Sequence, residues 1–221
     1  FTALILSLRS GLSVGRWAGT GPKSLVDETV MTGSILGFSL PNFWQGMMLV
    51  MIFAVWLGWL PSTGRGEPGE IFGIRTSFAT WDGFRHLILP AINLALAQIA
   101  LVIRLTRTGV QETMPLDFVK FARARGLSER RILMVHVFKN ILIPIVTVLG
   151  VEFGSLIAFA VVTETIFAWP GVGKLIIDSI NALDRPIIVA YILVIVTMFI
   201  VINLIVDLLY SALDPRIRGR A

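Results

Sequence analysis

The stretch NILIPIVTVLGVEFGSLIAFAVVT, residues 140–163, carries a single charged side chain, Glu152. A helix needs roughly 20 apolar residues to cross about 30 Å of hydrocarbon, so this stretch is long enough to span a bilayer. Three more blocks stand around it: residues 29–64, 86–103 and 186–206 contain no charged side chain. A soluble chain of 221 residues cannot enclose four such helices in one core. The composition agrees, with 55% hydrophobic and 15% charged residues and a mean hydropathy of +0.82, against about 25% charged in soluble domains. The predicted fold class is therefore an all-α polytopic membrane bundle, with spans near 33–60, 86–110, 139–162 and 186–211. The charge-free run before Arg9 is too short to span and lacks a basic start and a cleavage site. Residues 1–20 read as the end of a helix whose beginning lies outside this sequence.

The charges orient these spans. Segments 9–32, 104–139 and the tail after 211 should share one side, and they hold fourteen of the nineteen basic residues. Basic residues are retained in the cytoplasm during insertion, which places that side and the C-terminus inside. The pI near 10.2 is then a signature of topology and not of nucleic-acid binding. With no cysteine, disulfides, thiolate catalysis and cysteine metal sites are excluded. His86 and His136 are too far apart in sequence to form a ligand pair. On the opposite side, residues 61–85 are rich in Gly, Pro and polar residues and read as an exposed irregular loop. Trp56, Trp59 and Trp81 lie near that boundary, where amphipathic rings favour the headgroup layer. The run FAWPGVG at 167–173 reads either as an interfacial belt with a tight turn or as a loop folded back onto the mouth of a pathway.

The cytoplasmic connection, residues 111–138, is the most informative loop. Pro115 suits a first helical turn and Asp117 the positive N-terminal end of a helix. Phe118, Phe121, Ala122 and Arg125 then recur at helical spacing as one narrow face, with Lys120 and Arg123 elsewhere. Gly126 is placed to stop the helix, and Ser128, followed by Glu129, to cap the next one. A short basic helix with aromatics on one face fits anionic lipid or a groove on a soluble partner equally well; an ordinary retained loop is the third reading. At membrane depth, Glu152, Asn93 and Gln98 are candidates to line a translocation path or to act as structural partners between helices. Asn203 and Asp207 on the last span invite the same two readings, and an ion pair with a tail arginine suits Asp207 best.

The run DFVKFARARGLSERRILMVHVFKNILIPIVTVLG at 117–150 resembles the EAA loop of ABC-importer permeases, in the branch that moves dipeptides, oligopeptides and, in some members, nickel. The likeness continues through SLPNFWQGMMLVMIFAVWLGWLPSTG at 39–64 and LPAINLALAQIALVIRLTRTGVQET at 89–113. It also covers VVTETIFAWPGVGKLIIDSI at 161–180 and NLIVDLLYSALDPRIR at 203–218, so it spans essentially the whole chain. Permeases of that branch begin with a further helix and an external segment, so the resemblance implies an N-terminally truncated sequence. It implies the fold of a type I ABC-importer permease, with the 111–138 loop carrying a coupling helix that sits in a cleft of a cytoplasmic ATPase. Carried over, the contact is made by Phe118, Lys120, Phe121, Ala122, Arg123, Ala124, Gly126 and Leu127. Lys120 stands where the broader superfamily has glutamate, and Phe121 where a small residue is common. Within the ETIFAWPG motif and just after it, the resemblance assigns an outer gate to Glu164, Trp169, Pro170, Gly171 and Gly173.

The implied partners are a second homologous permease forming a heterodimer, two ABC ATPase subunits that bind ATP-Mg, an extracytoplasmic substrate-binding protein and the lipid bilayer, with no nucleic acid. The implied location is the bacterial inner membrane. No G-x-x-x-x-G-K-[ST] run is present, so the chain has no sequence signature for cradling nucleotide phosphates itself. The expected activity is peptide import; a nickel or other small-solute importer of the same branch is the alternative. A membrane transferase would need clustered acid, base, nucleophile or metal ligands, which the sequence does not offer. A passive channel would have no use for a coupling loop.

Overall fold

The computed structural model describes residues 2–20, 32, 40–71 and 73–213. Helices dominate it. They are α1 (Thr2–Thr20), α2 (Asn42–Trp56), α3 (Trp81–Thr113), α4 (Asp117–Ala124), α5 (Glu129–Ile166), α6 (Val172–Asn181) and α7 (Arg185–Leu213). Two π-helical stretches, Val50–Trp56 and Ile132–Val137, lie within α2 and α5. By length and composition α5 and α7 can each cross a membrane, and α3 joins them if its segments Trp81–Leu96 and Gln98–Thr113 count as one span. The expected span 33–60 is helical over 42–56; residues 33–39 lie outside the described part. Its end is earlier than expected, because Gly58 takes a left-handed φ of +62° just after Trp56.

Within the Gly- and Pro-rich stretch 61–85, residues 61–68 are irregular as the composition predicts, but the segment that follows is ordered. It folds into an antiparallel hairpin of β1 (Gly69–Ile71) and β2 (Ile74–Thr76), with Gly69 opposite Thr76. Gly73 closes the turn at φ +78°, a conformation open to glycine at little cost. Side chains do the rest. Arg65 Nε donates to Ser77 Oγ at 3.1 Å, and Asp82 Oδ2 accepts from the Glu67 N–H at 3.0 Å. Thr80 caps α3 by accepting from the Gly83 N–H at 3.0 Å.

The chain divides into two compact units. The first comprises Phe1–Leu6, Phe38–Ala97 and Gly154–Thr197. Its centre is polar: Asn93, fully buried, donates from Nδ2 to Thr163 Oγ1 at 2.9 Å and to Asn42 Oδ1 at 3.2 Å. The Thr163 hydroxyl donates to the same Asn42 oxygen at 3.2 Å. Three helices, α2, α3 and α5, are thereby tied at one point, and Gly46 gives the close approach, since a Cβ there would lie 3.3 Å from Asn93 Nδ2. Hydrogen bonds of this kind join helices where water cannot.

The second unit comprises Ser7–Gly37, Gln98–Phe153 and Met198–Ala221. Its core is Val110, Val119, Ala122, Ile132, Val137, Ile141 and Ile145. Glycines set its helix contacts. Gly11 and Gly15, four apart on α1, pack on Val102 and Thr106 of α3 so closely that a Cβ at either would lie 2.7 Å from those side chains. This is the small-x-x-x-small device of membrane helices, and it stands in plain sight in SGLSVGRW. Gly109 meets Ile141 and Gly150 meets Val206 in the same way. No described side chain of α7 is buried, although Val206 packs on Gly150 of α5.

Candidate functional site

Helix α4 is built as a separate amphipathic piece between α3 and α5. It begins at Asp117, one residue after Leu116 at the N-cap, so Pro115 precedes the helix and does not enter its first turn. Asp117 occupies the first turn as expected and pairs with Lys120 at 2.9 Å. The face expected from spacing splits in two. Val119 and Ala122 are buried in the core of the second unit, whereas Phe118 and Phe121 stay 40% and 64% exposed. Ala122 thus belongs to the inner side, and the two rings, with Leu116 beside them, form an outward apolar surface. Arg125 stacks its guanidinium 5.4 Å from the centroid of the Phe121 ring.

The helix ends as Gly126 predicts. The Leu127 N–H bonds the Ala122 carbonyl and the Gly126 N–H bonds the Arg123 carbonyl at 2.9 Å, with Gly126 at φ +76°. This is the Schellman arrangement, completed by Leu127 packing on the same core as Ala122. Ser128 takes the N-cap position of α5, but its side chain makes no capping bond. Glu129 makes the cross-link instead, accepting two bonds from Arg123, at 2.6 and 3.1 Å. That hydrogen bond holds the Glu129 carboxyl below its ordinary range and raises Arg123. Ala124 and the flanking Arg123 are exposed. Rings, arginines and glycine turn are therefore presented together on a braced element.

The 164–173 region forms a second cluster. Helix α5 ends with the Trp169 N–H on the Glu164 carbonyl at 2.8 Å and the Ala168 N–H on the Thr165 carbonyl. This is again a Schellman end, but with alanine in the left-handed position at φ +45°. Phe167 is buried, Trp169 half-buried and Pro170 exposed. The turn leads into α6, a helix absent from the sequence-based expectations; its buried face is Gly173, Ile176 and Ser179, while Val172 is exposed. The Glu164 carboxylate accepts from the Lys174 N–H at 3.0 Å, and Gly171 and Gly173 lie against it.

The three polar candidates at depth separate. Asn93 is engaged through Nδ2 in the Asn42–Thr163 knot, while its Oδ1 has no hydrogen-bond partner among the described residues. Gln98 is buried, and its Oε1 has no hydrogen-bond partner among the described residues. Glu152 is half-exposed, and no hydrogen bond or ion pair reaches its carboxylate among the described residues. The tail arginines expected near Asp207 lie outside the described part. Among the described residues no group of three or more His, Asp or Glu side chains converges as a metal site would require.

Long apolar helices with one braced amphipathic helix exposed between two of them define a helical membrane protein. Residues 11–219 match the family described as binding-protein-dependent transport system inner membrane component. The chain belongs to that family, and is a transport component rather than an enzyme. It is 42% identical to the di/tripeptide transport system permease protein DppB of Pseudomonas aeruginosa, over 98% of this chain and 68% of that protein. It is 37% identical to the dipeptide transport system permease protein DppB of Escherichia coli K12, over 99% and 69%. It is 38% identical to the oligopeptide transport system permease protein AppB of Bacillus subtilis, over 96% and 66%. Its fold matches a chain of the inward-facing MetNI methionine ABC transporter with a TM-score of 0.68 at 16% identity, covering 96% of this chain and 93% of that one.

Proposed function

We propose that this chain forms half of the path by which an ATP-driven importer carries di- or oligopeptides across the bacterial cytoplasmic membrane. The peptide class rests on the relatives named for di/tripeptide, dipeptide and oligopeptide transport. The observation that carries the mechanism is α4: two exposed phenylalanines and a basic rim on a helix braced at its C-terminal end, a surface that suits a groove on a soluble partner. In this reading α4 and the C-terminus face the cytoplasm. Phe118, Lys120, Phe121, Arg123, Ala124 and Gly126 contact an ATPase subunit that binds ATP-Mg. Ala122 and Leu127 anchor the helix to the core behind.

ATPase closure displaces α4, and the motion passes through the shared core to α5 and α3. A second permease supplies the other half of the path, and a binding protein delivers substrate to the opposite face, where Glu164, Trp169, Pro170, Gly171 and Gly173 form the outer gate. Asn93, Gln98 and Glu152 are the path-lining candidates, because each keeps an acceptor without a partner among the described residues; the Asn93 amide nitrogen serves the helix knot. The test is uptake in a strain lacking the chain, with dipeptides, longer peptides and nickel as competitors. Restored, ATP-dependent dipeptide uptake is the expected result; nickel uptake without peptide competition refutes the substrate class.

A further inference from the structure

Glu164 would ordinarily be read as a gate carboxylate offered to a passing solute. Its surroundings say otherwise. A helix start leaves its first N–H groups without intrahelical partners, and an N-cap side chain usually supplies the oxygen that accepts from the third of them. Helix α6 has glycine at its N-cap, Gly171, and so no such oxygen. Glu164 provides it from the end of the preceding helix: its Oε2 accepts from the N–H of Lys174, the third residue of α6, at 3.0 Å. The carboxylate also sits at the positive end of the α6 dipole. The Lys174 ammonium is taken elsewhere, by Asp178 at 2.6 Å, so the contact to Glu164 is through the backbone alone. Both glycines are needed for it. A Cβ on Gly171 would fall on the carboxylate itself, and one on Gly173 would lie 2.7 Å from the Val161 Cα and 3.0 Å from Glu164 Oε2.

We infer that Glu164 is a positioning residue for transport: it caps α6 from a distance and makes the α5–α6 corner, residues 161–176, move as one rigid body. The role requires a hydrogen-bond acceptor of glutamate length and does not require a charge. The inference rests on reading 164–173 as part of the gate, but the local clamp can be measured without any solute.

The experiment uses the complete transporter, purified with its partner subunits and reconstituted in proteoliposomes, with rates expressed per assembled complex. Glu164→Gln keeps an acceptor oxygen and is expected to stay within about threefold of wild type in peptide uptake, whereas Glu164→Ala falls about tenfold or more. Gly171→Ala falls similarly alone but costs nothing further in the Glu164→Ala background, since the collision and the clamp are then both gone. Amide exchange over 172–176 is the independent readout, expected to speed up about tenfold in Glu164→Ala and to remain slow in Glu164→Gln. A Glu164→Gln variant as poor as Glu164→Ala in uptake, multiplicative losses in the double variant, or unchanged amide exchange in Glu164→Ala each overturns the inference. If exchange follows the expected pattern while wild-type complex carries no peptide, the clamp stands and the peptide reading falls.

Discussion

Substitution of Gly126 separates the two reasons a coupling helix can need glycine at its end. The residue sits at φ +76° with no heavy atom within 4 Å of where a Cβ would lie. Any cost inside this chain is therefore one of backbone conformation and not of space. A side chain in the left-handed region costs about 1–2 kcal/mol, and asparagine tolerates that region better than other residues. Leaving it instead forfeits two hydrogen bonds, Gly126 N–H to Arg123 O and Leu127 N–H to Ala122 O, at about 1 kcal/mol each. The upper bound for Gly126→Val is thus about 2 kcal/mol, a shift of roughly thirtyfold in the population of the locked helix end. Gly126→Asn should cost well under half of that. The assay is ATP-dependent peptide uptake per assembled complex, with the yield of ATPase co-purified on the permease as control for assembly. Expected is a graded series, Gly above Asn above Ala above Val, with assembly retained. If Asn is as damaging as Val, the glycine is there to let the partner approach and conformation is not the cause. If Val is neutral, α4 does not transmit the stroke.

Other perturbations test the supporting structure. Asn93→Leu removes the shared donor of the three-helix knot and should cost about 2 kcal/mol, against about 1 kcal/mol for Thr163→Val, read from thermal unfolding of the purified complex; equal and negligible effects refute the knot. Ala168→Gly relieves a strained left-handed alanine and should stabilise by about 0.5–1 kcal/mol after the entropy of glycine is set against it; a lower Tm refutes the strain. For the Arg123–Glu129 link, Glu129 has its folded pKa depressed below the ordinary 4.5. Its contribution is therefore complete above that value and is lost as pH falls through the lower folded one. Amide exchange over 123–131 should accelerate only in that acid range, and Glu129→Gln should abolish the dependence.

The helical membrane class was legible because charge-free length is a property of composition alone, and the α4 terminus was legible because Gly126 carries its own signal. Two similar helix ends were not. Helix α5 closes on Ala168 and helix α6 on Leu183, at φ +45° and +57°, each with the paired bonds of a Schellman end: Trp169 to Glu164 and Asp184 to Ser179. Neither residue type favours that conformation, and both residues are exposed, Leu183 at 81%, so neither residue type nor burial reports these ends. The hairpin at 69–76 was missed for a related reason. Its composition reads as loop, while the cross-links that order it, Arg65 to Ser77 and Glu67 to Asp82, join residues that lie apart in sequence. The glycine pair on α1 is legible as Gly11-x-x-x-Gly15, a packing signal set among the charges of Arg9 and Arg16.

The polar residues show where sequence depth stops being informative. Asn93, Gln98, Glu152 and Glu164 all fall within or at the end of apolar segments, and depth alone marks each as functional. Hydrogen-bond accounting divides them, because an unsatisfied buried acceptor is costly in a medium without water. Asn93 satisfies Asn42 and Thr163 and thereby fixes three helices; Glu164 satisfies the start of α6. Glu164 spends its polarity inside the chain, and so does the Asn93 amide nitrogen, whereas Asn93 Oδ1 has no hydrogen-bond partner among the described residues. Gln98 Oε1 and the Glu152 carboxylate also find no donor among the described residues. A polar group at membrane depth that the described fold leaves unanswered is the better marker of a path, and under the proposed function Asn93 Oδ1, Gln98 and Glu152 are the positions to test for solute contact.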